Sequence, residues 1–117
     1  MLKYTCTIPM PPSVNGLYAT DFRTKRRFKS KAYVTWEALI GILPERPINP
    51  IECVLKAEYG FGKPRAGKID VASYEKATSD LLVAQGIIQD DSLIHDLRLF
   101  WDPTVPKGMV RVTLTAL

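Results

Sequence analysis

Nine prolines constrain this chain more than any other feature, because most of them fall in clusters that leave only short stretches free for regular structure. Pro9, Pro11 and Pro12 form one cluster, Pro44, Pro47 and Pro50 a second, and Pro103 and Pro106 a third; Pro64 stands alone in a glycine-rich segment. A proline has no backbone N–H, so it removes a ladder hydrogen bond from a strand and breaks a helix interior. The elements must therefore lie between these points. Leu2–Ile8 is rich in β-type residues and reads as a strand ended by the first cluster. Ile51–Tyr59 alternates, with Ile51, Cys53, Leu55 and Ala57 on one side and Glu52, Lys56 and Glu58 mostly on the other, as a half-buried strand requires. Leu93–Trp101 and Met109–Leu117 read as two further strands, flanking the third cluster and Gly108.

The helical stretches follow from a different period. Ser30 can cap a helix running to about Leu43, since Tyr33, Trp36, Leu39, Ile40 and Leu43 recur at three- and four-residue spacing. Tyr33, Trp36 and Leu39 are expected in the core. Ala72–Gln85 reads as a second helix, ended by Gly86. The order β, loop, α, β, α, β, β argues for an α+β fold: a single domain with a small mixed or antiparallel sheet of about four strands, packed with two helices. At 117 residues the chain is long enough for one adequate core and shows no internal repeat. No apolar run approaches the roughly 20 residues of a membrane span. The N-terminus lacks a signal-peptide core, so a cytoplasmic location without membrane partners is expected. Cys6 and Cys53 both lie in strand-like runs and are expected to be buried free thiols. Two cysteines and one histidine give no zinc-type spacing.

The net charge is only +4, yet the charges are segregated. Residues 21–31 carry Arg23, Lys25, Arg26, Arg27, Lys29 and Lys31 against a single aspartate, within a long polar segment, Ser13–Lys29, that holds the turn signal Asn15-Gly16. A structureless loop of that length is uncommon inside a small domain, and its mixture of cations with Tyr18, Phe22 and Phe28 favours a functional role. Phe22 and Phe28 either stack on unpaired bases or anchor the loop to the core. Gly60–Lys68 is a second basic loop, with Lys63, Arg65 and Lys68; it lacks the Gly-Lys-Ser/Thr ending of a P-loop. Residues 70–96 carry six acids, Asp70, Glu75, Asp80, Asp90, Asp91 and Asp96, against one lysine, Lys76. This separation suits a protein that meets a polyanion with one surface and holds metal with another.

Asp70 stands before the second helix, and Asp90–Asp91 lie in a turn leading into a strand. Carboxylates from two loop ends can converge on Mg²⁺, which prefers hard oxygen ligands and keeps several waters. Such a site can activate water and neutralise charge on a leaving oxygen. Lys76 could reach a phosphate as a point charge. His95, the only histidine, is expected to have a structural or half-exposed role, and Asp80 to act either as a supporting partner or as a surface charge.

Two segments carry a family resemblance. Pro11-Pro12-Ser13-Val14-Asn15 resembles the PPSxN signature of the RusA family of Holliday junction resolvases, and Asp70–Ile94, DVASYEKATSDLLVAQGIIQDDSLI, resembles that family's core, roughly D-x-D-N-x-x-K…D-x-L…G-[VI]-[IF]-x-D-D-x-x-[VI]. The basic loop, the Tyr33…Trp36 helix and the closing strand fall in the right order, so the resemblance spans nearly the whole chain. It implies a homodimeric endonuclease that binds four-way DNA junctions and makes paired nicks with Mg²⁺, or Mn²⁺ as a substitute. Asp70 then matches the first catalytic carboxylate, Lys76 the catalytic lysine, and Asp91, with Asp90 beside it, the last acidic position. Asn15 and the cations of the two basic loops would contact DNA.

The chain departs from the pattern at Ala72, where the family usually has Asp, and at Ser73, where it usually has Asn. Alanine cannot bind a metal. Either Glu75 substitutes with its longer reach, joining Asp70, Asp90 and Asp91 as a metal ligand, or the chain binds junctions and cuts poorly or not at all. Retained activity is favoured, because Asp70, Lys76, Asp90 and Asp91 all remain.

Overall fold

The computed structural model describes residues 1–117 and has the expected α+β architecture. A four-stranded sheet is built from β1 (Leu2–Pro9), β4 (Leu55–Phe61), β5 (Ile94–Trp101) and β6 (Met109–Ala116), in the spatial order β1-β6-β4-β5. β6 is antiparallel to both β1 and β4, whereas β4 and β5 run parallel, so the sheet is mixed. A parallel pair cannot be joined by a tight hairpin. The connection from β4 to β5 is a crossover containing α2 (Glu75–Ala84), and this places the acidic segment beside the β4–β5 half of the sheet.

One face of the sheet is packed and the other faces solvent, as an antiparallel-dominated sheet allows. Tyr4, Cys6 and Ile8 of β1, Leu55, Ala57, Tyr59 and Phe61 of β4, and Val110, Val112 and Leu114 of β6 alternate into one core. Tyr33 and Trp36 of α1 (Lys31–Ile40) and Ala77, Leu81 and Leu82 of α2 complete it. Trp36 also donates its indole N–H to the Pro9 carbonyl at 2.8 Å, which ties α1 to the end of β1.

Several expectations need correction. The Ser13–Lys29 segment is not structureless: a 3₁₀ turn at Val14–Gly16 is followed by a hairpin of β2 (Tyr18–Thr20) and β3 (Arg27–Lys29). Three-residue strands flanked by charges carry too little alternation to be read from sequence. α1 begins where Ser30 caps it, accepting from the Tyr33 N–H at 3.1 Å, but stops at Ile40. Gly41 there adopts φ +63°, a backbone angle that favours glycine and cannot continue the helix, and Leu43 reaches the core from outside the helix. Leu39 is 70% exposed instead of buried, because it projects away from the face that Tyr33 and Trp36 seat.

β4 begins at Leu55, four residues later than the alternation suggests. Ile51 makes only an isolated bridge with Ile88, and the irregular approach leaves Cys53 exposed while Cys6 is buried. Both thiols are free, as expected. The second helix is α-helical only from Glu75; Val71–Tyr74 form a 3₁₀ turn before it. No helix is long and apolar enough to cross a membrane.

Candidate functional site

The acidic residues sit at the entry and exit of the crossover. Asp70 caps the Val71–Tyr74 turn, its Oδ1 accepting from the Ala72 N–H at 3.0 Å. Asp90 repeats the arrangement before the Asp91–Leu93 turn, accepting from the Ser92 N–H at 3.0 Å. These bonds fix each side chain against its own backbone, as short polar residues do at turn starts. Asp21 and Asp102 cap turns in the same way elsewhere, so capping alone marks no site. What distinguishes the crossover is how its charges gather.

Asp91, Asp80 and Lys76 lie within electrostatic reach of one another. Lys76 donates to Asp80 at 3.1 Å, one helical turn on, and that hydrogen bond holds its ammonium above the ordinary lysine range. The Asp91 carboxyl is raised, chiefly because it can share a hydrogen with Asp90, with burial and the Asp90 and Asp80 charges adding to the effect. Asp90 is lowered, chiefly by the Ser92 N–H. The two titrate as a pair in which Asp91 keeps the proton longer.

Glu75 is held from below. Ser79 Oγ donates to Glu75 Oε1 at 2.8 Å and lies 2.9 Å from the Tyr59 hydroxyl. Tyr59 feels the charges of both Glu75 and Asp91, although burial is the main reason its hydroxyl is pushed well above the ordinary tyrosine range. Sequence reasoning missed Tyr59 and Ser79. The only signal in the chain was the i, i+4 spacing of Glu75 and Ser79 on one helix face. No three acidic, histidine or cysteine side chains stand close enough to form a ready metal cage. The donors are carboxylate oxygens, the chemistry Mg²⁺ prefers, and Mg²⁺ commonly takes only one or two carboxylates plus water and phosphate oxygens. The residues fit that partial form of a site.

The basic residues lie on three elements. At the β2–β3 tip, backbone bonds from Asp21 N to Arg26 O and from Lys25 N to Asp21 O, both 2.8 Å, close the turn. Lys25 there takes φ +59°. The ordered tip presents Arg23, Lys25 and Arg26 to solvent, and Phe22, 88% exposed, does not anchor it. Phe28 is also exposed. Arg27 stacks over Tyr18 at 3.9 Å. Lys29 is engaged by Glu37 at 2.9 Å and lies over the Tyr33 ring, so its charge is largely satisfied within the protein. Lys31 opens α1 and is exposed. In the second loop Lys63 lies 5.8 Å from the centre of the Trp101 ring, while Arg65 and Lys68 are exposed. Asn15 is exposed on the Val14–Gly16 turn, which packs against both α2 and the Val71–Tyr74 turn. Tyr18, at the hairpin base, contributes to the electrostatic environment of Lys76. One end of the basic hairpin is thus continuous with the acidic group. His95 is exposed, and Asp96 pairs weakly with Arg98 at 3.7 Å.

Comparison with known proteins gives the arrangement a context. The chain is similar to the crossover junction endodeoxyribonuclease RusA of Escherichia coli O139:H28 (strain E24377A / ETEC). The two are 29% identical over 125 aligned residues, covering 100% of this chain and 98% of the relative. The relationship is RusA-like but distant, and no protein-family model matches. Its full-length extent means that the similarity covers the hairpin, both turns and the crossover together.

Proposed function

We propose that this chain is a Mg²⁺-dependent, structure-selective endonuclease that resolves Holliday junctions by paired phosphodiester cleavage in DNA recombination and repair. The observation that carries the reading is the full-length similarity to a crossover junction endodeoxyribonuclease. The gathering of Lys76, Asp80, Asp90 and Asp91 beside a cationic hairpin supports it.

Asp70, Glu75, Asp90 and Asp91 would hold the cation, which supplies an activated water and neutralises charge at the leaving oxygen. Mn²⁺ can serve in its place. Lys76, kept protonated by Asp80, offers a fixed positive charge to the scissile phosphate. Asn15, the hairpin-tip cations Arg23, Lys25 and Arg26, and the cations of the 63–68 loop contact the phosphate backbones. Phe22 is free to stack on bases unpaired at the branch point. A two-fold homodimer would match two such sites to a two-fold junction.

A second reading is favoured by Ala72 and by the absence of a preformed cage: a branched-DNA-binding protein on the same scaffold that cuts weakly or not at all. Synthetic four-way junctions incubated with purified protein and Mg²⁺ or Mn²⁺ separate the two. The endonuclease reading expects paired nicks, with Asp70→Asn and Asp91→Asn each abolishing cutting while retaining junction binding. Binding without nicking by the unaltered protein establishes the second reading. Affinity for a junction no greater than for linear duplex overturns both.

A further inference from the structure

The hydrogen bonds between β4 and α2 form a directed chain. Tyr59 is fully buried and Ser79 is 2% exposed, so neither hydroxyl can turn to solvent for a partner. Each hydroxyl has one proton to give. Ser79 gives its proton to Glu75 Oε1, which accepts it. The Tyr59 hydroxyl must therefore donate to Ser79 Oγ across the 2.9 Å separation. The direction Tyr59 to Ser79 to Glu75 follows from counting protons, and no buried side-chain polar atom is left without a partner.

Glu75 is a long, flexible side chain in the first turn of α2, and unheld it would lose rotamer entropy on binding anything. Ser79 fixes Oε1 through a 2.8 Å hydrogen bond and leaves the other oxygen for a ligand. Tyr59 in turn is seated rigidly in the sheet, paired with Val112 on one side and Leu99 on the other. We infer that Tyr59 and Ser79 are positioning residues that hold Glu75 as a pre-set divalent-cation ligand. This inference rests on the metal-dependent reading above and assigns how that site is completed.

The test is direct Mn²⁺ binding to the DNA-free protein, read by electron paramagnetic resonance of free Mn²⁺, with thermal unfolding measured on the same samples. Loss of a residue that orients a metal ligand commonly weakens affinity by about 10–100-fold, and Ser79→Ala is expected in that range. Tyr59→Phe keeps the ring in the core and should weaken Mn²⁺ binding in the same direction by a smaller factor. Glu75→Gln should weaken it at least as much as Ser79→Ala. Adding Ser79→Ala to Glu75→Gln should then cost nothing further, since both act through one carboxylate. Ser79→Ala and Tyr59→Phe that leave Mn²⁺ affinity within twofold of the unaltered protein, while Asp70→Asn and Asp91→Asn abolish it, overturn the positioning role alone. Full additivity of Ser79→Ala with Glu75→Gln overturns it as well. If Asp70→Asn and Asp91→Asn also leave binding unchanged, the metal-dependent reading falls with it.

Discussion

Gly62 offers the sharpest test of the fold, because among the glycines it is the one whose added Cβ would run into neighbouring backbone. Its N–H donates to Met109 O and its carbonyl accepts from Gly108 N–H, both at 2.8 Å, so the end of β4 is zipped to the turn that starts β6. A Cβ added at Gly62 would overlap the Pro106 carbonyl oxygen and lie 2.6 Å from its carbon and 2.7 Å from the Val105 oxygen. These atoms are backbone and cannot swing aside as a flexible side chain would. Gly62→Ala must therefore push the 105–108 turn outward, straining two hydrogen bonds and loosening buried Val105 against its surroundings. Overpacking costs about 1–3 kcal/mol, and each of the two backbone bonds weakened adds about 0.5–1.5 kcal/mol, so the destabilisation should fall at roughly 2–6 kcal/mol. Against a domain stability of about 5–15 kcal/mol that is a large fraction.

Urea unfolding followed by circular dichroism measures the destabilisation. Gly16→Ala is the control: its added Cβ would meet nothing nearer than 3.9 Å, and its stability should stay within about 0.5 kcal/mol of the parent. A Gly62→Ala protein as stable as the Gly16→Ala control would refute the close approach and the register of β4 with it.

Other outcomes follow from the charges and thiols. Arg23→Ala or Arg26→Ala at the hairpin tip should weaken DNA binding and shallow its salt dependence by roughly 0.9 in log–log slope for each phosphate no longer neutralised, whereas Lys29→Ala, whose charge is taken by Glu37, should change that slope little. In a carboxyl-carbon NMR titration, Asp91 should hold its proton to a higher pH than the ordinary 3.8, and Asp90→Asn should bring its midpoint down, because the pairing with Asp90 is the main cause of the rise. The sign matters for function: the ionised pair needed by a cation is lost as pH falls through that raised value, so the acid limb of Mn²⁺ binding should begin above the range of an isolated aspartate. Cys53 should react with a thiol-alkylating reagent in the folded protein, while Cys6, buried and pushed up to about 11, should react only on unfolding; mass spectrometry of the native protein distinguishes them.

The sequence by itself determined the element types, most of the element order and the acidic residues to watch. Proline punctuation, the period-two runs of β1, β4 and β6 and the helical period around Trp36 are local properties, and local physics is what a sequence displays. It also marked Asp70, Lys76, Asp90 and Asp91 through spacing and resemblance, and offered Glu75 as a replacement ligand where Ala72 stands. Only the tertiary structure decided that β4 and β5 run parallel, that Leu39 and Cys53 face solvent and that the basic segment is an ordered hairpin. Each of these depends on which distant strand or helix supplies the neighbour. The Tyr59–Ser79–Glu75 chain belongs to the same class. A strand tyrosine and a helix serine twenty residues apart have no pattern in common, and their hydroxyls meet only because the crossover lays α2 across β4.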